Sequence, residues 1–430
     1  MKCIGLTGCI ALIAACSLAD ETNAPTLDLA TAEQIALKNH PAVAAADYRA
    51  RAAQEVVKEA QAGYFPKATL YANAVGAGSS DVRILAGGLN NPSVFDRAAA
   101  GVAVSQLITD FGRTANAAAG SKFQARAEND NANATRGRIL LDVDVNYFNA
   151  LKAQAVLSVA RQTFDTRRVL LDQISTMASN QLRSEVDVSF ARVSVEESQL
   201  LVQKAENDLS AAMTSLSTSL GSREPKPYQL VEQPLATNVV ADDIQGLVQT
   251  ALESRPEVLS LRNAHEAAVR LARSKRDARL PEIDAVGVAG GAPVHDDRLP
   301  DDYAAAGIQL DLPLFAGGFY LAQQREAELK AEAESEALRD LEDQVVRDVH
   351  LASLNLNNAW RQLSTTRELI RSATEAYDLA EARYRLGSSS IVELSQAQLG
   401  LTSALIAEAN ARYDVLAQQA NLAYQTGTIH

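Results

Sequence analysis

Acid–base, nucleophilic and metal chemistry needs particular side chains close together, and the 430-residue chain offers few such groupings. The five histidines, His40, His265, His295, His350 and His430, lie far apart in sequence and never at ligand spacing. The three cysteines, Cys3, Cys9 and Cys16, all fall in the first 16 residues, so the remainder holds no thiol nucleophile, thiolate metal site or internal disulfide. Asp110-Phe111-Gly112 has the letters of a kinase metal-binding motif. No glycine-rich loop or catalytic loop accompanies it, and it reads as a junction between a hairpin and a helix. Gly76-Ala77-Gly78 lacks the following glycine and helix of a phosphate-binding turn and reads as a loop. No catalysis, cofactor or metal is therefore expected. Two carboxylates stand out, Asp187 and Glu393, because they recur at equivalent places in an internal repeat, each just after a turn between helical stretches. One role open to them is capping a helix N-terminus, whose partial positive charge favours an acid.

Composition narrows the class of protein. With 53 acidic and 40 basic side chains the formal charge is −13, the wrong sign for a nucleic-acid binder that needs clustered Lys and Arg. Hydrophobic residues reach 47%, but much of this is Ala and only 5% of residues are aromatic. Long Ala/Glu/Leu/Arg/Gln stretches point to extended helices with thin cores.

The N-terminus reads as a targeting segment. Lys2 precedes an apolar run, Ile4 to Ala15, of secretory length. Ile13-Ala14-Ala15-Cys16 resembles a bacterial lipobox, which would make Cys16 an acylated first residue after removal of 1–15. The rival cut follows Ala19 in Ser17-Leu18-Ala19. No later window holds 18 uninterrupted apolar residues, so a membrane crossing would have to use strands.

Comparison of the chain with itself reveals a duplication. Asn39-His40-Pro41-Ala42-Val43 recurs as Ser254-Arg255-Pro256-Glu257-Val258, and Pro66 recurs as Pro281, both at an offset of 215. Gly101, Gly112, Ser184, Asp187 and Gly221 recur as Gly307, Gly318, Ser390, Glu393 and Gly427 at an offset of 206. The difference falls in the Gly/Ser/Asn-rich stretch from Gly76 to Asn91, which marks a surface loop. The units are 30–221 and 242–427, separated by a proline-bearing linker at 222–241.

Each unit carries the same signals in the same order. Thr31, three residues before Gln34, suggests a capping box that opens a short helix, and Pro41 ends it and starts the next. Alternation of period two follows, with Ala68, Leu70, Ala72 and Ala74 on one face of a strand and Lys67, Thr69, Tyr71 and Asn73 on the other. Matching stretches at 98–105, 283–289 and 304–311 complete one hairpin per unit, of roughly the length that crosses a bilayer when tilted. A long helix then runs from Thr114 to Met177, ~95 Å for 64 residues. In the second unit Val349, Leu356, Leu363, Ile370, Tyr377 and Tyr384 form a seven-residue series beside small Ala352, Ala359, Thr366, Ala373 and Ala380, a close-packing coiled-coil seam. The first unit keeps it in Val143, Ala150, Leu157, Phe164 and Leu171. Return helices follow the tips at 179–184 and 385–390. The heptads alone would suit a soluble periplasmic coiled-coil scaffold; the strands favour a membrane protein.

Four strands cannot close a transmembrane barrel, and an open sheet in lipid would strand its edge N–H and C=O groups. Two chains would supply eight strands and three would supply twelve, the latter with room for a lumen.

Taken together, residues 27 to 427 resemble the TolC-type outer-membrane efflux protein family. The resemblance rests on the repeated His-Pro and Arg-Pro openings, Gly63-Tyr64-Phe65-Pro66, the hairpin ends Ser105 to Arg113 and Asp311 to Gly318, and Tyr384-Arg385-Leu386-Gly387 followed by Ile391-Val392-Glu393-Leu394. It implies a mainly α fold with a small β part: two structural repeats, long antiparallel coiled-coil helices and four transmembrane strands per chain. It also implies a homotrimeric 12-stranded barrel with an α-helical periplasmic tunnel. Implied partners are outer-membrane lipid, a periplasmic adaptor docking on the tips through Gln181, Leu182, Leu386, Gly387 and Ser388, and an inner-membrane transporter. Lipid on Cys16, heading an anchored segment 16–29, fits the same family, and Ser17 lacks the Asp that retains lipoproteins in the inner membrane.

The family narrows its periplasmic entrance with acids at the positions of Asp187 and Glu393, so three chains would gather six carboxylates into a cation-attracting ring. The second acidic position of the family is Phe190 in one unit and Gln396 in the other, which thins the ring. Arg183 is placed to tie the closed state through a carboxylate on a neighbouring helix. Gln181 stands where the second unit has Gly387, and Leu107 where it has Pro313, so the first tip and first strand end are expected to differ in shape. Residues 428–430 form a short tail without the extension of some members. The expected function is a passive exit duct for small molecules; an outer-membrane duct for type I protein secretion is the alternative within the family.

Overall fold

Period-two segments fold as strands and period-seven segments as helices in the computed structural model, which describes residues 25–76, 82–83, 93–94, 96–235, 243–295 and 300–429. The first unit runs β1 (Thr26–Leu27), α1 (Leu29–Asn39), α2 (Pro41–Gln61), β2 (Lys67–Val75), β3 (Val82–Arg83), β4 (Ser93–Val94), β5 (Arg97–Thr109), α3 (Arg113–Ser179) and α4 (Glu185–Ser219). After β6 (Gln229–Leu230) the second runs α5 (Ile244–Ser254), α6 (Pro256–Asp277), β7 (Glu282–Val294), β8 (Asp302–Asp311), α7 (Phe319–Arg385) and α8 (Ile391–Gln425). Cys16 and the targeting segment lie outside the described residues.

The long helices α3 and α7 have 67 residues each, ~100 Å, and α3 exceeds the expected 114–177 by three residues. The helix start near Thr31 is set differently from expectation. Asp28 is the N-cap of α1, its Oδ1 accepting from the Thr31 N–H at 3.1 Å, and Thr31 lies inside the first turn. His40 then caps α2, Nδ1 accepting from the Ala42 N–H at 3.2 Å, with Pro41 at the first helical position, where its missing N–H is harmless.

The two hairpins join into one antiparallel sheet of order β2-β5-β7-β8, with β5 against β7 at its centre. Register separates the two faces. Lys67, Thr69 and Tyr71 pair with Ser105, Ala103 and Gly101, while Ala68, Leu70 and Ala72 pair with Val104, Val102 and Ala100. On β7 and β8 the first face continues through Glu282↔Asp311, Asp284↔Gln309 and Gly290↔Tyr303, the second through Ile283↔Leu310 and Ala285↔Ile308. The first face holds Lys67, Glu282, Asp284 and Asp311, with Val286 and exposed Val288 among them, and the other carries exposed Leu70, Val102, Val104, Ile308 and Leu310.

Within the helices the core is a narrow seam. Val349, Leu356, Leu363 and Tyr384 are buried as their spacing predicts, with Ile370 and Tyr377 half-buried. On α3, Val143, Ala150 and Leu157 are buried, but below them the interior passes to Ala160, Arg167 and Ile174, leaving Phe164 and Leu171 half-buried. The largest cluster lies mid-molecule, where Val143, Tyr147 and Leu151 meet Leu27, Leu216 and Leu220. There β6, in the expected linker, pairs in parallel with β1. The Tyr147 hydroxyl fastens both strands, donating towards Leu27 O at 2.9 Å and Val231 O at 2.8 Å as alternatives.

Candidate functional site

The two tips are built from the same hydrogen bonds. At the end of α3, Leu182 N–H donates to Met177 O and Gln181 N–H to Ala178 O, both at 2.9 Å. At the end of α7, Ser388 N–H donates to Arg383 O at 2.9 Å and Gly387 N–H to Tyr384 O at 3.0 Å. Each is a Schellman turn, which satisfies the last carbonyls of a helix by placing one residue in the left-handed region. Gln181 at φ 58° takes that place as Gly387 does at φ 73°, so the first tip has the shape of the second despite its side chain. The first strand end does differ. β5 continues to Thr109 whereas β8 stops at Asp311, ahead of Pro313.

The candidate gate residues fall around these turns. Asp187, half-buried, closes a capping box: its Oδ2 accepts from Ser184 N–H at 3.4 Å while Ser184 Oγ accepts from Val186 N–H at 3.0 Å. Glu393 is exposed and pairs with Arg383 of α7 at 2.8 Å, and its own N–H donates to Ser390 Oγ at 3.3 Å. The expected carboxylate partner for Arg183 is not what it finds. Its Nη2 donates to the Tyr384 carbonyl at 2.6 Å and its guanidinium lies over the Tyr384 ring, 4.3 Å from the centroid. A helix C-terminus concentrates negative carbonyl charge, so this end of α7 takes the place of an acid. Gln181, Leu182, Leu386, Gly387 and Ser388 are all exposed at the tips; Phe190 and Gln396 are exposed on the return helices.

Three participants were given no role at the site by sequence: Arg383 was not named, Tyr384 was read only as a seam and tip-motif residue, and Asp110 only as part of the junction between hairpin and helix. Arg383 and Tyr384 hold the first tip and Glu393, and the basic residues in the last turn of α7 were the available signal. Asp110 is the third. Buried at the start of α3, it accepts from Thr114 N–H at 2.7 Å and Gly112 N–H at 3.2 Å. Among the described residues no group of His, Cys, Asp and Glu is placed to hold a metal, and no helix is long and apolar enough to cross a membrane.

Paired helical hairpins ~100 Å long thus carry matched tips at one end and a four-stranded antiparallel sheet at the other. The chain belongs to the outer membrane efflux protein family, whose model matches residues 33–222 and 247–428. It is similar to the outer membrane protein TolC of Escherichia coli K12, 25% identical over 307 residues that cover 68% of this chain and 62% of that protein. It thus spans under two thirds of that relative's length. TolC of Vibrio cholerae is 24% identical over 344 residues, 79% of this chain and 78% of the relative. The solvent efflux pump outer membrane protein SrpC of Pseudomonas putida is 27% identical over 266 residues, 61% and 56% of the two chains. Among solved structures, the CmeC outer membrane channel of Campylobacter jejuni superposes with a TM-score of 0.79 at 17% identity, covering 99% of this chain and 94% of that one. VceC of Vibrio cholerae gives 0.78 at 18%, covering 93% and 96%.

Proposed function

We propose that the chain works as a homotrimer in the outer membrane, a passive exit duct for small molecules handed over by a periplasmic adaptor and an inner-membrane transporter. The sheet carries this reading. Its edge strands β2 and β8 have free N–H and C=O groups, and in lipid each unpaired group costs several kcal/mol. Pairing β2 of one copy with β8 of the next removes both edges. Three copies give twelve strands, with Leu70, Val102, Ile308 and Leu310 turned to lipid and Lys67, Asp284 and Gln309 to a lumen.

The helices carry the duct away from the membrane, and the exposed tip residues Gln181, Leu182, Leu386, Gly387 and Ser388 offer the adaptor its docking face. Asp187 and Glu393 line the constriction, with Phe190 and Gln396 beside them and Arg183 binding the two tips of one chain together. Cys16 carries the lipid anchor after removal of 1–15, and 30–221 and 242–427 are the two working repeats. Small molecules as cargo accord with the similarity to a solvent-pump protein. Native mass measurement of detergent-purified protein tests the assembly: trimers are expected, and a species no larger than a dimer would rule out the twelve-stranded barrel.

A further inference from the structure

One row of the sheet runs Tyr71, Gly101, Gly290, Tyr303 across all four strands, each residue the register partner of the next. All four lie on the face of Lys67, Asp284 and Gln309. The glycines matter here because a Cβ on either Gly101 or Gly290 would collide with the Tyr303 hydroxyl end. The Tyr303 ring is therefore laid down over two residues that have no side chain. A ring lying against the backbone turns its other face outward, and Tyr303 remains 42% exposed. Tyr71, on the far side of Gly101, is 64% exposed. Towards the helices the same face carries Glu282, Asp284, Asp311 and Lys67, and Arg113 at the start of α3 is bound to Glu282 at 2.7 Å. Glu282, Asp284 and Asp311 against Lys67 and Arg113 leave one net negative charge among these five.

We propose that this row is an aromatic track on the lumen wall that takes organic cations, those with an aromatic group above all. The proposal rests on the trimeric duct reading. Because barrel strands tilt by about 35–45°, the row climbs the wall obliquely, and three copies supply six tyrosines. Tyrosine faces attract a quaternary ammonium through the ring quadrupole and stack with a flat aromatic group. The carboxylates, ~20 Å away along β7 at about 3.4 Å per residue, are too distant to touch such a ligand. They raise its local concentration by focusing the field. Charge and ring faces thus select the same cargo.

The test is block of single-channel current by benzyltrimethylammonium, added from the barrel side to the purified protein in planar bilayers. Y71A with Y303A should shorten the blocked time about fivefold, as loss of two modest cation–π contacts would. Y71F with Y303F should keep it, since the ring face survives. Y71A alone should give a smaller loss, which covers the case where Tyr303 is needed for folding. D284N with D311N should slow blocking while leaving blocked time unchanged. A conducting parent whose block ignores the alanine pair, or whose phenylalanine pair loses as much as the alanine pair, overturns the track alone. A parent that opens no channel overturns the duct reading and the track with it.

Discussion

The two repeats take the same backbone through the same turns with different residues. Phe111 and Gln181 sit at φ 55° and 58°; 206 residues later Gly317 and Gly387 sit at 59° and 73°. A third pair, Gly221 and Gly427, is glycine in both. Space explains the difference. Around Gly317 and Gly387 nothing lies within 4 Å of an added Cβ, so a side chain there meets only the conformational penalty. At Gly221 a Cβ would come within 2.9 Å of Asn39 O, and at Gly427 within 2.8 Å of Ser254 Oγ and 3.0 Å of Arg255 N. These glycines let the ends of α4 and α8 touch the breaks before Pro41 and Pro256. Among these three pairs glycine is kept in both repeats where neighbouring atoms crowd it; a fourth pair, Gly112 at φ 109° and Gly318 at φ 83°, is glycine in both although nothing lies within 4 Å of an added Cβ at Gly318. Substitution sharpens the contrast: Gly221→Ala should lower unfolding stability by ~3 kcal/mol, strain plus collision, and Gly387→Ala by ~1 kcal/mol. Equal losses in denaturant unfolding would break the explanation.

Mid-molecule the repeats diverge in charge. Asp144 of α3 is buried, and burial followed by the charge of Glu33 on α1 pushes its carboxyl up to about 8. Glu33 is raised too, chiefly by burial, and Asp28 adds to it. The counterparts at +206 and +215 are exposed His350 and half-buried Val248. An acid whose folded pKa is raised gives stability that is full below its unfolded value near 4 and is lost as pH climbs through 8. The parent should therefore weaken by on the order of 2 kcal/mol between pH 5 and 8. Asp144→Asn, which keeps the shape, should flatten most of that slope in denaturant titrations at the two pH values. A slope unchanged by the substitution would place the titration elsewhere.

The start of the long helices comes next in size. In repeat 1 the Asp110 carboxylate accepts two backbone N–H groups, and Thr109 Oγ1 accepts a third from Phe111 at 3.3 Å. Repeat 2 has Ala316 in place of Asp110 and two glycines after it. Asp110→Ala should lower stability by ~1.5 kcal/mol, the loss of a buried charged cap. Asp110→Asn should recover part of it. A loss of only a few tenths would show that α3, like α7, starts without its acid.

Strands, long helices and the duplication were legible in the sequence because each has a period: two for the pleat, seven for Val349 to Tyr384, and a fixed offset for the repeat. The tip geometry was only half legible. Glycine at 387 announces a left-handed turn, but glutamine at 181 hides one, because the hydrogen bonds that impose it belong to the backbone. Arg183 was placed correctly at the tip and assigned the wrong kind of partner, since a carbonyl at a helix end has no letter in the sequence. Asp144 and Glu33 are 111 residues apart, and nothing local to either announces that α1 lies on α3.

The smallest expected change in stability concerns the tip carboxylates, and that makes them the cleanest probe of function. Asp187→Asn keeps a side-chain oxygen for the Ser184 N–H, and Glu393→Gln loses one exposed ion pair, so each should shift stability by no more than ~0.5 kcal/mol. Conductance is then free of folding effects. If the two residues line a constriction shared by three chains, removing both charges should reduce cation preference and weaken block by trivalent cations added from the tip side. The repeats should not contribute equally. Arg383 pairs with Glu393 at 2.8 Å, while among the described residues Asp187 makes no ion pair and accepts from the Ser184 N–H at 3.4 Å, so Asp187→Asn should remove the larger share of the block. Arg383→Gln should act in the opposite direction, freeing Glu393 and tightening the block. Block that is the same in parent and double variant would leave both acids as helix caps and move the constriction to Phe190 and Gln396, exposed one turn further along the same helices.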